Sequence, residues 1–364
     1  MIRILARIIV IFGLVGAAAA AQASDSPDTP GHAADVAYDA LMRNFWDSSR
    51  GDFAGTGTYW FYAQSLDIAT LAEQRNPAPA NKDLVHLLYD RQAKRGFLQG
   101  AQVYFDDENW MALSLARAFV VDGDPDFLKT ARLLFDDVLS RGTLGRSEGV
   151  WWDYEHGKVA AAANAGPVIT GLLLWKLTGD ARYRDFALRT YAFWLRDMVD
   201  ESSGQVYDQI LANGSKDKTP WSYDQGLMIG AAVELFRTTG DQAYLDQARL
   251  FSRYMIDNMK STSGVMIEQT CVKHRKECLG WKDVAQFKGI AFRYLVELAK
   301  VDPSNQELRD YLDKTATSLM SPQVFDSKTG RFAYEWDGSE PPSTGYYQTT
   351  NSAALALAAY ATLF

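Results

Sequence analysis

Two adjacent carboxylates, Asp106 and Asp107, stand at the start of an apolar segment that runs to Phe119. From Trp110 onward the apolar residues recur at helical spacing, which predicts a buried helix. Trp110 follows Asp106 by four residues and Asp107 by three, so the pattern places the indole on the same helical face as both acids. Two carboxyl groups held close together beside an aromatic ring can perform acid–base chemistry.

Acidic residues at a helix N-terminus also have a structural explanation, because they accept hydrogen bonds from free amides and suit the helix dipole. The functional alternative is a catalytic pair. At a separation of about 5 Å and an effective dielectric constant of about 20, the repulsion is roughly 3 kcal/mol, which could raise one pKa by about two units. One acid would then keep its proton while its neighbour is ionised, as a retaining glycosidase requires.

The 364-residue chain begins like an exported protein. Two arginines precede an apolar run, and small residues surround a cleavage site after Ala23, which predicts a signal peptide over residues 1–23. A flexible, polar lead-in over residues 24–34 is expected next, and residues 35–364 are predicted to form one catalytic domain. We therefore expect a protein that is secreted, or periplasmic where the host has two membranes.

The formal net charge of −8 argues against nucleic acid or an anionic membrane as a partner and fits a neutral ligand. Aromatic residues make up 13% of the chain, including 10 tryptophans, and suit stacking on sugar rings as well as a core. No segment after the N-terminal run is long and apolar enough to span a membrane. We expect a monomer.

The two cysteines, Cys271 and Cys278, lie close together in TCVKHRKECLG. Because an exported protein meets an oxidising compartment, this spacing predicts a loop disulfide. His274 lies between them, but the four histidines show no zinc-ligand spacing. We expect no metal and no cofactor.

The chain repeats a helical unit, and two signals mark the repeats. A Gly-Asp turn separates two helices at three places, each with an aromatic residue three positions later: Asp124, Asp180 and Asp241. A glycine opens a short aromatic or alternating segment at six places: Gly51, Gly96, Gly149, Gly204, Gly264 and Gly330. Each of these segments leads to a helix poor in charge, and the six helices are predicted to begin near Tyr59, Asp106, Asn164, Tyr223, Asp283 and Thr349.

Six units of about 57 residues each have room for two helices, and such repeats stack to share a buried face. Apolar helices that alternate with amphipathic ones predict an inner ring inside an outer ring, an all-α (α/α)6 barrel. An open solenoid is the alternative. We favour closure because no polar capping helix follows the sixth inner helix. In a closed barrel the inner-helix N-termini gather at one face, and Asp106 and Asp107 would lie there.

Polar and aromatic residues recur near the other inner-helix starts. Each could be a cap or a packing residue, but together they predict a binding site. The loop residue Asp208 could hold sugar hydroxyls or only close a turn. The residues that we assign to substrate binding are Trp60, Trp110, Asn164, Asp208, Trp221, Tyr223, Gln225 and Lys288.

These motifs resemble glycoside hydrolase family 76, the endo-α-1,6-mannanases and their relatives. The matching motifs, in order over nearly all of the chain after the signal, are YFDDENWMALS, GVWWD, NAGPVITGLLLWKLTGDARY, GQVYDQI, WSYDQGLMIGAAVELFRTTGDQAYL, QFKGIAFRYL and TTNSAALALAA. The resemblance implies an (α/α)6 barrel and retention through a double displacement. It also implies Asp106 as the nucleophile, Asp107 as the general acid/base and Asp208 as a residue that holds mannose. The residues alone do not say which aspartate has which role.

Two positions depart from the family pattern. Asp224 stands where relatives usually have asparagine, and alanines precede Asn164 where relatives often have a polar residue. We expect an exported, endo-acting glycoside hydrolase that cleaves α-1,6-mannosidic linkages in mannan. The alternatives are a transglycosidase on related α-mannosyl glycans and a non-catalytic glycan-binding barrel. Another (α/α)6 activity, such as an epimerase, usually relies on histidine, of which the chain has only four.

Overall fold

The structure, a computed structural model, describes residues 29–364, which are largely helical. The α-helices are α1 (Pro30–Phe45), α2 (Tyr59–Arg75), α3 (Pro79–Lys94), α4 (Phe105–Asp122), α5 (Pro125–Ser140), α6 (Ala162–Thr178), α7 (Ala181–Met198), α8 (Ser222–Thr239), α9 (Gln242–Asn258), α10 (Gln269–Lys273), α11 (Arg275–Gly280), α12 (Lys282–Val301), α13 (Gln306–Leu319) and α14 (Tyr347–Tyr360). Short 3₁₀ turns lie at Pro342–Thr344 and Ala361–Leu363. The six predicted apolar helices begin within two residues of their predicted positions.

Those six helices form a closed inner ring. Helices α2, α4, α6, α8, α12 and α14 each pack against the next, and α14 packs back against α2. The helices α1, α3, α5, α7, α9 and α13 lie outside them, with α1 against α14. The predicted all-α (α/α)6 barrel is confirmed, and the open-solenoid alternative is wrong.

Composition decides which helices lie inside. Every residue of α14 from Tyr347 to Ala359 is buried, and these residues are mostly small, which lets neighbouring helices approach closely. At Gly289 of α12, an added Cβ would lie 2.5 Å from the carbonyl oxygen of Ser352 in α14. The outer helices are amphipathic and bury one face only, as in α5, where Phe127, Ala131 and Leu134 point inward.

The Gly-Asp turns are helix junctions, as predicted. Helices α4, α6 and α8 end at a glycine with φ between 72° and 82°. The aspartate after each glycine then caps the next outer helix, with its side chain accepting a hydrogen bond from the backbone amide two residues on. These turns lie at the end of the barrel opposite the inner-helix N-termini.

Short strands build the connections at the other end, where the inner helices begin. Three antiparallel hairpins pair β1 (Trp46–Asp47) with β2 (Asp52–Phe53), β4 (Val199–Asp200) with β5 (Gln205–Val206), and β8 (Phe325–Asp326) with β9 (Arg331–Phe332). A three-stranded sheet has the order β3 (Val159–Ala160), β6 (Gln209–Ile210) and β7 (Lys216–Asp217). This sheet joins the loop before α6 to the loop before α8, so two loops of the opening form one wall.

A satellite core supports the loop before α12. The predicted disulfide is present, and it joins Cys271 in α10 to Cys278 in α11. Both cysteines are buried with Trp221 and Tyr334 in a cluster separate from the main core. The disulfide therefore fixes a segment that leads directly into an inner helix.

The N-terminal predictions have mixed outcomes. Residues 30–34 belong to α1 rather than to a lead-in, because Thr29 Oγ1 accepts a hydrogen bond from the His32 amide at 3.2 Å and caps the helix. The predicted signal peptide and residues 24–28 lie outside the described residues. From residue 29 onward, no helix has the length and apolarity needed to cross a membrane.

Candidate active site

The first turn of α4 presents Asp106 and Asp107 at the opening of the barrel. Phe105 is fully buried, and its amide donates to the carbonyl oxygen of Trp152 at 2.9 Å, which anchors the turn to the loop before α6. Tyr104 occupies the N-cap position, so neither aspartate is the capping residue, although amides of this turn do donate to Asp106. Both aspartates are half-buried, and capping alone does not explain them.

Asp106 lies beside groups that stabilise its ionised form. The indole Nε1 of Trp152 donates to Oδ2 of Asp106 at 3.2 Å, and the Lys158 ammonium lies 3.7 Å from the centroid of the same indole. Burial raises the pKa of Asp106 to about 6, while Trp152, the backbone amides and Lys158 oppose that rise. The other oxygen, Oδ1, has no hydrogen-bond partner among residues 29–364.

Asp107 has different surroundings. Burial raises its pKa well above the ordinary value, and the negative charges of Asp106 and Asp283 raise it further. Asp283 is held in place by Trp60, whose indole Nε1 donates to its Oδ1 at 3.0 Å. Asp107 therefore binds a proton more tightly than Asp106, and the pair divides into an acid and a carboxylate.

A second pair of carboxyl groups lies in the wall formed by the three-stranded sheet. Burial raises the pKa of Asp208 to about 6, and the charge of Asp217 adds to this rise while Lys158 opposes it. Asp224 is fully buried, and burial together with the charge of Asp208 raises its pKa well above the ordinary value. Asp224 therefore favours its protonated, neutral form. Burial raises the pKa of Tyr223, and the charges of Asp224, Asp208 and Asp106 add to the rise, so this wall lies within electrostatic reach of Asp106.

The chain's relationship to known proteins agrees with this geometry. Residues 31–363 match the family described as glycosyl hydrolase family 76. The chain belongs to this family. The family predicted from the sequence motifs is confirmed, and with it the assignment to the glycoside hydrolases.

Individual family 76 relatives are distant. Mannan endo-1,6-alpha-mannosidase DCW1 of Candida glabrata is 25% identical over 300 residues, which cover 75% of this chain and 62% of the relative, so the chain spans less than two thirds of its length. The solved GH76A alpha-1,6-mannanase of Salegentibacter sp. HEL1_6 has a TM-score of 0.80 at 22% identity, with 92% of this chain and 100% of that chain covered. Dfg5 of Chaetomium thermophilum has a TM-score of 0.74 at 18% identity, with coverages of 93% and 91%. These structures share the fold.

Four of the predicted family 76 binding residues gather around the aspartate pair. Trp110, one turn after the pair, is buried, and its ring centroid lies 6.5 Å from that of the half-buried Trp60. Tyr223 and Asp208 lie in the opposite wall, within electrostatic reach of each other. Their role in substrate binding stays a prediction.

Two predicted binding residues have a different task. The side-chain amide of the buried Asn164 accepts from the Val150 amide at 2.8 Å and donates to the carbonyl oxygens of Val150 and Ala160 at 3.0 and 2.8 Å. The buried Gln225 does the same in α8, accepting from the Val206 amide at 3.0 Å. The side-chain amides of Asn164 and Gln225 are hydrogen-bonded to backbone groups, so they hold loops in place rather than facing a sugar.

The last two predicted binding residues are buried rather than exposed in the opening. Trp221 is largely buried in the disulfide cluster, where its ring supports the loop before α12. Lys288 is fully buried almost two turns into α12, with its Nζ 3.9 Å from Glu335 and 5.0 Å from the ring centroid of Tyr334. Burial leaves Lys288 no access to a ligand in the opening, so both residues act in packing.

Trp152, Lys158 and Asp283 also lie at the site, although no sequence pattern predicted that they would. Trp152 was visible only as part of the GVWWD motif, and nothing in that motif says which tryptophan reaches an aspartate. Lys158 lies in an irregular loop without periodicity, and Asp283 was noted only as a helix start. Their places depend on loops that pack across the opening, and local sequence patterns do not encode such contacts.

Among the described residues, one group has the geometry of possible metal ligands: His86, Asp122 and Asp124. It lies at the far end of α4, away from the opening. Lys82 Nζ and His86 Nε2 each lie 3.0 Å from Oδ2 of Asp122, while the other nitrogen of His86 faces Asp124 at 3.6 Å. Because a lysine already pairs with the central carboxylate, ion pairing accounts for this group.

Proposed function

We propose that this chain hydrolyses α-1,6-mannosidic linkages within mannan chains and retains the anomeric configuration. The observation that carries the proposal is the unequal pair: two consecutive carboxyl groups at the barrel opening, one stabilised as a carboxylate and the other surrounded by negative charge. A retaining glycosidase needs one ionised and one protonated carboxyl group on the same glycosidic bond.

In the first step, the Asp106 carboxylate attacks the anomeric carbon and Asp107 gives its proton to the departing glycosidic oxygen. The bond between the anomeric carbon and that oxygen breaks, and a glycosyl ester on Asp106 forms. The Trp152 hydrogen bond to Oδ2 orients the attacking carboxylate. The surroundings of Asp107 raise its pKa and so keep it protonated near neutral pH. An acid of ordinary pKa would be almost entirely ionised there.

In the second step, the ionised Asp107 takes a proton from a water molecule, whose oxygen attacks the anomeric carbon and releases Asp106. Two inversions at the same carbon give net retention. Asp283 then has a second effect, because its negative charge favours the return of the proton to Asp107.

The walls of the opening suit a neutral sugar. Asp208 and Tyr223 offer hydrogen-bonding groups on one side, and Trp60 offers an aromatic surface near the pair on the other. The names of relatives support mannan as the substrate: one is a mannan endo-1,6-alpha-mannosidase, and an inactive variant of the Salegentibacter mannanase was solved with alpha-1,6-mannotriose. The endo mode of attack is supported by the name of the same relative, a mannan endo-1,6-alpha-mannosidase.

The proposal includes export. The basic, apolar and small-residue segments over residues 1–23 have the order of a cleaved signal peptide. A disulfide in the described structure agrees with an oxidising compartment. The N-terminal residue of the protein recovered outside the cytoplasm, determined by mass spectrometry, tests cleavage after Ala23.

The central experiment incubates the purified protein with linear α-1,6-mannan and, in parallel, with α-1,2-, α-1,3- and α-1,4-linked glycans. We expect internal cleavage of the α-1,6-mannan, seen as an early fall in polymer size with mixed oligosaccharides, and an initial α-anomer in the NMR spectrum of the products. The other glycans should remain intact.

Single variants Asp106→Asn and Asp107→Asn are the controls, and each should abolish cleavage while the circular dichroism spectrum is unchanged. An initial β-anomer would overturn retention. Cleavage of α-1,6-mannan by the double variant would overturn the assignment of the pair, and equal cleavage of all four glycans would overturn the proposed substrate.

A further inference from the structure

Trp281 is the most exposed of the ten tryptophans, with 58% of its surface accessible. It lies immediately before α12 and is the N-cap residue of that helix. A large aromatic side chain left in water forgoes the stabilisation that burial would give, which is of the order of 2 kcal/mol for such a residue. The position therefore calls for an explanation other than core packing.

The exposed indole has a rigid support. The Trp281 amide donates to the carbonyl oxygen of Cys278 at 2.9 Å, and the Tyr334 hydroxyl donates to the same oxygen at 3.2 Å. The buried ring of Trp221 lies beneath it, with centroids 6.4 Å apart. Together with the disulfide joining Cys271 to Cys278, these hydrogen bonds fix the backbone that carries the indole, which reduces the conformational entropy lost on binding.

The ring order places Trp281 across the opening from the aspartate pair. Passing around the inner ring in either direction, α12 is the third helix from α4, so the two helices face each other. Asp283, two residues after Trp281, reaches back to hydrogen-bond Trp60 of α2 at 3.0 Å. The loop that carries Trp281 is thus part of the same opening.

A line of aromatic rings also leads from the pair to Trp281. Tyr223 lies within electrostatic reach of Asp106, and its ring centroid is 4.1 Å from that of Phe287. Phe287 lies 5.6 Å from Trp221, which in turn supports Trp281. Tyr223 and Phe287 are half-buried, so this side of the opening presents aromatic surface from the pair outward.

We propose that Trp281 is a stacking platform for a hexopyranose ring of the bound glycan, at a position removed from the bond that is cleaved. The flat indole face accepts the apolar C–H face of the sugar, while hydroxyl groups at the ring edge stay in water. This inference rests on the proposed function, because it takes the same glycan. It assigns Trp281 a role in recognising chain length, and chains too short to span from Asp106 to Trp281 gain nothing from it.

The test measures binding without turnover, in the Asp106→Asn/Asp107→Asn background, by titration calorimetry with α-1,6-mannooligosaccharides from two to eight residues. We expect Trp281→Ala to weaken binding of the longest oligosaccharides by about 10-fold and to leave the shortest unchanged. Trp281→Phe keeps an aromatic face and should restore most of the lost affinity. Val272→Ala, which removes another exposed apolar side chain of the disulfide segment, should have no effect.

A second variant tests the support beneath the platform. Cys271→Ser/Cys278→Ser should reproduce the length-dependent loss seen in Trp281→Ala, with binding of the shortest oligosaccharides unchanged. Ligand binding should also shift and quench the fluorescence of Trp281, measured as the difference between proteins with tryptophan and phenylalanine at this position.

The outcomes separate the platform from the proposed function. A wild-type protein that cleaves α-1,6-mannan, together with a Trp281→Ala variant that binds all lengths normally, would overturn the platform alone. An equal loss at every length, or an equal loss in Val272→Ala, would also overturn it. A protein that neither binds nor cleaves α-1,6-mannan would overturn the proposed function itself.

Discussion

The two ends of α4 carry the same residue type in opposite circumstances. At its first turn, Asp106 and Asp107 lack ion pairs, and burial raises the pKa of both. At its last residue, Asp122 accepts hydrogen bonds from Lys82 and His86, and these partners lower its pKa. The helix dipole acts in the reverse sense, since it favours negative charge at the first turn and disfavours it at the last.

Burial and partners therefore outweigh the dipole at both ends. The paired carboxylate at the last turn of α4 stabilises the fold, whereas the unpaired carboxyl groups at its first turn cost stability when they ionise. A carboxyl group kept away from cations is the arrangement expected of an acid that must hold a proton. The same substitution, aspartate to asparagine, should accordingly have opposite consequences at the two ends.

The largest effect is expected at the first turn of α4. Asp106→Asn and Asp107→Asn should each lower kcat/KM on α-1,6-mannan by more than about 10³-fold, because one removes the nucleophile and the other the proton donor. The folded-state pKa of each is raised, so each ionised group destabilises the fold above its unfolded pKa, and the thermal midpoint at pH 7.5 should stay equal or rise. A large fall in the midpoint would show that these carboxylates serve stability.

The pH dependence of kcat/KM should show that Asp106 and Asp107 have different pKa values. Because Asp106 must be ionised and its pKa is about 6, kcat/KM should fall about tenfold per pH unit below that value. The alkaline limb belongs to Asp107, whose raised pKa keeps activity through neutral pH. An acidic limb near pH 4, measured where the thermal midpoint is unchanged, would contradict the burial of Asp106.

Trp152→Phe sharpens the assignment of the carboxylate. Loss of the indole donor removes a stabilising hydrogen bond from ionised Asp106, so the acidic limb should move upward by about one pH unit, with kcat/KM near pH 6 reduced severalfold. Trp151→Phe is the matched control, since its Nε1 donates to the Leu144 carbonyl oxygen at 3.0 Å instead. The Trp151→Phe control should not change the pH of the acidic limb. Equal shifts of this limb in both variants would contradict the proposed hydrogen-bond effect.

The smallest effect is expected at the last residue of α4. Asp122→Asn should leave kcat/KM unchanged and lower the free energy of unfolding by about 1 kcal/mol at pH 7, a modest value because Lys82 is half exposed. The folded-state pKa of Asp122 is lowered, so its contribution is present above the unfolded pKa and disappears as pH falls through the folded value. Urea unfolding measures the loss of free energy at pH 7 and its disappearance at pH 3. Asp126→Asn, at an exposed position, is the control.

Much of this architecture could be predicted from the chain because it repeats. The glycine-led segments recur before all six inner helices and the Gly-Asp turns after three of them, so the barrel and the starts of its inner helices followed from periodicity. The aspartate pair was also visible, because adjacent acids before an apolar helix are a local pattern.

The other contacts of the site could not be predicted from local sequence patterns. Asn164 and Gln225 lie at inner-helix starts, as a binding residue would, but their side chains turn to the backbone of their own loops. The start of α12 was predicted to within one residue, but Lys288 is enclosed by Glu335 and Tyr334, which lie on a segment distant in sequence. Trp152 and Lys158 reach Asp106 only through the fold of an irregular loop. Contacts of this kind require coordinates.

The meeting of α1 with α14 has a consequence for biosynthesis. The first and last long helices of the described chain are neighbours, and Asn44 Nδ2 donates to the Gly330 carbonyl oxygen at 3.0 Å across 286 positions of sequence. The apolar face of α1 has its main helix partner in α14, so it stays uncovered until residues 347–360 have been synthesised and folded. A chain without α14 would leave this apolar face of α1 exposed to water and the ring incomplete, which favours aggregation.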